Sequence, residues 1–166
     1  MRTRLAKVLA TIALVVAAAI PAAAQDYGAK TVVDVAADSK DHTTLVAALE
    51  AADYVVALRN PGPFTVFAPT NAAFEALPPG TLETLLKPEN QAKLAKILQH
   101  HVVLSTYETG WFKDGQSVGM VDGTKAIMHV QDGKVKIDGA TIVASVRAGN
   151  GIVHVVDAVV LPPETP

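Results

Sequence analysis

Gly151-Ile152-Val153-His154-Val155-Val156-Asp157-Ala158-Val159-Val160-Leu161-Pro162 is the stretch that decides how the rest of this chain must be arranged. A strand with one wet face alternates apolar and polar residues. Here one side carries Ile152, His154, Val156, Ala158 and Val160, and the other Val153, Val155, Asp157, Val159 and Leu161. Both sides are apolar, so residues 151–160 read as a central strand covered on both faces. Pro162-Pro163 ends it, because proline has no ladder donor and a fixed φ. Earlier segments must supply one layer for each face.

Working backwards, Asn150-Gly151 tightens the corner into that strand. Before it lie alternating runs at 117–121, 125–131, 134–138 and 141–146, with Asp122-Gly123 and Asp132-Gly133 as two-residue turn signals that favour positive φ. Val102-Val103-Leu104 is a short strand, and residues 105–116 form a loop or mixed segment holding Tyr107, Trp111 and Phe112. The front half has a helical period. Leu45, Val46, Leu49, Ala52 and Val56 share a face, with Thr43 or Thr44 as N-cap and Asp53 capping a second short helix at 54–58. Asn60-Pro61-Gly62-Pro63 stops that run. Phe64-Thr65-Val66-Phe67-Ala68 is a buried strand closed by Pro69, and Thr70 or Asn71 caps a helical turn through Phe74. Further helices start at Thr81 and span 89–100, while residues 31–37 fit either a small helix or a strand. Helices first and strands after them describe an α+β domain with a largely antiparallel sheet.

Residues 1–24 stand apart. Arg2, Arg4 and Lys7 precede an apolar run of about 13 residues, and Pro21-Ala22-Ala23-Ala24 supplies a break and small residues for cleavage. The run is shorter than the roughly 20 residues that span a bilayer. The expectation is a signal peptide cut after Ala24, a loose lead-in at 25–30, one domain at 31–163 and a short tail at 164–166. Losing the leader takes 14 basic residues to 11 against 16 acidic ones, a balance of about −5. With no basic run, nucleic acid is a poor partner, and no further segment is long enough for stable membrane insertion. The chain has no cysteine, so neither a disulfide nor a thiol nucleophile is available. A periplasmic or extracellular setting follows.

Two stretches then carry a resemblance. Thr65-Val66-Phe67-Ala68-Pro69-Thr70-Asn71-Ala72-Ala73-Phe74 resembles the first signature of the fasciclin-like domain family. Asn150-Gly151-Ile152-Val153-His154-Val155-Val156-Asp157, through Leu161-Pro162, resembles its second. Their order and separation fit as well. The resemblance implies a wedge of two largely antiparallel β-sheets with helices from the N-terminal half alongside. It also implies an extracellular or periplasmic adhesion module without a common catalytic centre. A few algal members bind carotenoids. Where the family commonly shows Tyr-His before two apolar residues, this chain reads His100-His101-Val102-Val103. That departure puts any tyrosine-dependent integrin contact in question.

The residues that could carry chemistry point the same way. His154 and Asp157 are expected to be buried and hydrogen-bonded, to Thr65, Thr70 or backbone. Three apart on a strand, they face opposite sides and cannot make a catalytic pair alone. Ser39, Ser105, Ser117 and Ser145 lack the glycine-flanked elbow of a hydrolase nucleophile. His42, His100, His101, His129 and His154 lack the spacing of zinc ligands. No catalytic, metal or cofactor site is therefore assigned. His100, His101, Tyr107, Trp111 and Phe112 are the candidate partner-binding residues, since amphipathic rings in a glycine-bearing loop make good anchors. The competing expectation is that Trp111 plugs one end of the core. Thr65, Phe67, Pro69, Thr70, Asn71, Phe74, Asn150, Gly151, His154 and Asp157 are structural motif residues. The function expected is an exported, non-enzymatic module binding a surface protein or glycan. The alternatives are a carrier of an apolar small molecule such as a carotenoid or lipid, and a hydrolase using His154 and Asp157.

Overall fold

The computed structural model describes residues 30–163; the leader, most of the lead-in and the last three residues lie outside this range. The helical half opens with α1 (Val32–Ala37), which settles the ambiguity at 31–37. Thr31 and Asp34 form a reciprocal capping box at its start. A 3-10 turn at Lys40–His42 leads into α2 (Thr43–Ala51), then come α3 (Val55–Leu58), α4 (Asn71–Glu75), α5 (Thr81–Leu85) and α6 (Gln91–Gln99). Thr43 and Thr44 do not cap α2 as expected. The cap position is His42 without a side-chain bond, and Asn71 Oδ1 accepts from Thr44 N–H at 3.0 Å and from the Thr43 hydroxyl at 3.3 Å. A residue from the first signature thus closes a helix almost thirty positions earlier. Asp53 is also not a cap: its φ of 54° makes it the corner between α2 and α3.

The strands are β1 (Phe64–Pro69), β2 (Val102–Val103), β3 (Ser117–Gly119), β4 (Lys125–Gln131), β5 (Lys134–Ile137), β6 (Ala140–Ala148) and β7 (Gly151–Val156). Their pairing forms one seven-stranded sheet in the order β2-β1-β7-β6-β5-β4-β3 instead of the two separate sheets expected. It is mixed, since β1 runs parallel to β7 while the other neighbours are antiparallel. The sheet curls back on itself: Val121, just past β3 at one edge, donates its N–H to Val102 O of β2 at the other edge at 2.9 Å. Asp132 and Gly133 both take positive φ in the β4–β5 turn. Asp138, expected to end a strand, instead forms the next such turn with Gly139, at φ 44° and 97°.

The curl divides the core. Val66, Ala68, Val102 and Val153 pack against α1, α2 and α6, while Phe67, Met128, Ile137 and Val156 fill the inside of the sheet. Strand β7 contributes to both clusters and lies between β1 and β6, so it is doubly covered as its composition requires. It is shorter than expected. After Val156 the chain leaves the sheet, and Val160 N–H reaches His101 Nε2 at 3.0 Å.

Candidate functional site

The polar residues of the two signatures turn inward. Thr65 on β1 donates its hydroxyl to Ser105 O at 2.6 Å and accepts Tyr107 N–H at 2.8 Å, which fixes the start of the 105–116 loop. Asn150 uses its whole amide: Oδ1 accepts Val32 N–H, and Nδ2 donates to Leu58 O and Asn60 O, each at 2.8 Å. The sequence marks Asn150 as a turn and signature residue without naming its partners; it ties α1, the end of α3 and the β6–β7 corner together. Gly151 is required by close approach, because a Cβ there would meet Phe64 O at 2.1 Å.

His154 is fully buried and packs against Phe67 and Phe112, with ring centroids at 5.5 and 5.8 Å. Its Nε2 lies 2.7 Å from Tyr107 O, so that nitrogen donates, and Nδ1 is left to accept from the Ser145 hydroxyl at 2.7 Å. Burial lowers its pKa, with the Tyr107 carbonyl opposing the shift. Ser145 Oγ is in turn 2.8 Å from Thr109 Oγ1. Of the partners expected for His154, the backbone is used, through Tyr107 O, and Thr65 and Thr70 are not. Ser145 lacks a nucleophile elbow, and it is the cross-strand partner of His154. Counting back across a two-residue turn at Gly149-Asn150 pairs residue 154 with 145, so the signal was available in the sequence. Asp157 corrects the expectation in the other direction: it is exposed, and its carboxylate accepts Thr141 N–H at 2.7 Å. The proposed His154/Asp157 hydrolase pair is therefore not assembled. The imidazole presents no surface to solvent.

The two adjacent histidines diverge. His101 Nδ1 donates to Ile97 O at 2.8 Å and Nε2 accepts from Val160, which makes the ring a brace between α6 and the C-terminal segment. Burial pushes its pKa down to about 4, against the opposing effect of the Ile97 carbonyl. His100 is also fully buried; its Nδ1 is 3.0 Å from Asp122 Oδ2 and 2.6 Å from Thr124 Oγ1, while Nε2 is 3.9 Å from Asp138 Oδ2. Burial raises the Asp122 pKa, but the Thr124 hydroxyl and amide together with His100 outweigh it, so the carboxyl sits below its usual range. His129 is on the surface, as its strand position suggested, with Asp114 3.8 Å away. Among the described residues no three His, Asp or Glu side chains converge as metal ligands.

Of the five candidate partner-binding residues, three are therefore withdrawn. His100 and His101 brace the interior, and Phe112 is 5% exposed and stacked on Tyr107 with centroids 5.6 Å apart. Tyr107 is half-buried, with both backbone groups engaged. Trp111 alone stands out: it is 59% exposed, at the end of the 3-10 turn Thr109–Trp111, and does not plug the core. That turn is held against β6 by the Thr109–Ser145 bond and by an ion pair between Glu108 and Arg147. The loop is thus an aromatic side chain on a fixed mount.

This architecture is an α+β body of helices on a curled mixed sheet, with Thr65, Asn150 and His154 of the two signature segments hydrogen-bonded within it. A family model described as Fasciclin domain matches residues 40–162, and the chain belongs to that family. It is similar to Protein sll1483 of Synechocystis sp., 51% identical over 88% of this chain and 81% of that protein. It is also 33% identical to Immunogenic protein MPB70 of Mycobacterium bovis, over 86% of this chain and 75% of the relative. Transforming growth factor-beta-induced protein ig-h3 of Oryctolagus cuniculus matches at 34% identity over 80% of this chain but only 19% of its own length. In three dimensions the chain resembles a FAS1 domain pair from the insect cell adhesion molecule Fasciclin I, with a TM-score of 0.69 at 16% identity, covering 80% of this chain and 51% of that one. That likeness concerns the fold. No described helix is long and apolar enough to cross a membrane.

Proposed function

We propose that this chain is an exported binding module that works without catalysis, touching a surface protein or glycan through the loop that carries Trp111. The observation that carries this reading is an exposed indole on a loop whose backbone is pinned by Thr65 and His154 and whose Thr109 side chain is held by Ser145. A rigid aromatic anchor loses little entropy on binding and supplies a large contact area. The leader-like residues 1–24 support export to the periplasm or medium. Kinship with a domain found in a cell adhesion molecule supports adhesion as the purpose.

The test is a pull-down from envelope and extracellular matrix fractions with the wild-type protein and Trp111→Ala. The reading expects a protein or glycan recovered by the first and lost with the second. Equal recovery by both, or none by either, overturns it.

A second reading, carriage of an apolar small molecule, draws on a groove of about 450 Å³ between α5, α6 and residues 161–163. Leu85, Ile97, Leu161 and Pro162 line it, with Lys93 and Lys96 on the same wall, and the volume lies within the range of small-ligand sites. Native protein that carries an extractable lipid or pigment supports this reading, and colourless, lipid-free protein counts against it.

A further inference from the structure

Strand β6 is nine residues long, yet β5 pairs only with its first two, Ala140 and Thr141. Along residues 142–148 its one strand neighbour among the described residues is β7, and positions 143–147 are all exposed. Gly149 N–H points away from β7 and donates to Lys30 O at 2.8 Å. The two-residue period of a strand then directs the N–H and C=O of Arg147 and Ser145 outward along the same edge. Exposed edges are ordinarily guarded by charge, proline or short length. This edge has none of these in force: its one charge, Arg147, is engaged by Glu108, and Val143 and Val146 are 59% and 44% exposed. The register shift between Ile142 and Ala144 disturbs the start of the strand and leaves residues 144–148 regular.

We propose that this edge is a self-association surface, on which a second copy of the chain lays its own β6 antiparallel and joins two sheets into one. The outward groups fix the register. Ser145 and Arg147 of each copy exchange backbone hydrogen bonds across a two-fold axis, and Val146 faces Val146 in the closely spaced, non-hydrogen-bonded pair. Ala144 then meets Ala148, and Arg147 meets Ser145, so no like charges oppose each other. An extended backbone is what the row of unpaired donors and acceptors recognises, and the same edge satisfies itself when turned by half a revolution. A pair of copies carries two Trp111 loops, the two contacts that bridging requires. This inference goes beyond the binding reading and stands or falls separately from it.

The experiment is sedimentation equilibrium of the full chain from about 1 µM to about 1 mM, with wild type, Val146→Lys, Val146→Glu and a one-to-one mixture of the two variants. The expected result is a wild-type dimer, each variant shifted at least tenfold toward monomer with a melting temperature equal to that of wild type at dilutions where both are monomeric, and dimer restored in the mixture. Hydrogen exchange should show the Ser145 and Arg147 amides protected in proportion to dimer. A wild-type monomer throughout, a dimer indifferent to both substitutions, or a mixture that stays monomeric overturns the proposal. Protection of those amides at every dilution in a monomer also overturns it, since another part of the same chain would then occupy the edge.

Discussion

Strands β7 and β6 are hydrogen-bonded neighbours, and they use their residues in opposite ways. β7 is apolar on both faces and keeps its one imidazole fully bonded inside. β6 carries Val143 and Val146 outward and spends its polar side chains, Ser145 and Arg147, on the 105–116 loop. A buried polar group is tolerated only when its bonds are made, so the signature polar residues are occupied by the fold itself. Val143 and Val146 of β6 and Trp111 of the loop are instead left exposed. The difference teaches that the polar residues most eye-catching in this sequence hold the body together, while Trp111 and the middle of β6 are left at the surface.

The contrast is broken most forcefully at the corner that joins the two strands. Asn150→Ala removes three hydrogen bonds and strands the Val32 N–H in the interior. Urea unfolding should show a loss of about 4 kcal/mol, and a loss under about 1 kcal/mol would mean that the corner is not the tie described here.

Acid is the next lever. His101 titrates near 4 when folded against an ordinary value of 6.5, so the folded state binds fewer protons than the unfolded one. Its stability contribution is complete above about pH 6.5 and is lost as pH falls towards 4, amounting to about 3 kcal/mol over that window. His154 adds an effect of the same sign. Asp122, with its folded pKa depressed, contributes stability that fades only at lower pH still. Stability measured from pH 7 to 4 should fall in wild type and fall less steeply in His101→Gln. Parallel slopes for the two proteins would refute this account.

A gentler cut falls between β6 and the loop. Ser145→Ala removes the link from His154 to Thr109 and should cost about 1 kcal/mol, with faster amide exchange confined to residues 107–112. Trp111→Ala is the smallest perturbation, with an expected change in stability below about 0.5 kcal/mol. A melting temperature several degrees lower would put the indole back in the core.

Much of the fold was legible. The doubly apolar run at 151–160 gave a central strand, the alternating runs gave β3 to β6, and the two signatures fell where their pairing in β1 and β7 needs them. Errors gathered at ends and corners: Asp138 was placed in a strand that it terminates, and Asp53 at a cap when it forms a bend. The candidate site was the least legible part. His100, His101 and Phe112 look like contact residues in a string of letters, because nothing there tells an imidazole at the surface from one clasped between a helix and a turn.

Periodicity and turn chemistry are local, so the sequence by itself determined most of the helix and strand segments (residues 31–37 excepted), that one strand must be covered twice, and that two stretches resemble the signatures of one family. Burial and pairing depend on what long-range contact brings alongside. Only the tertiary structure, therefore, decided that the sheet is single and curled, that Asn150 ties α1 to α3, that His154 answers to Tyr107, and that Trp111 is left outside.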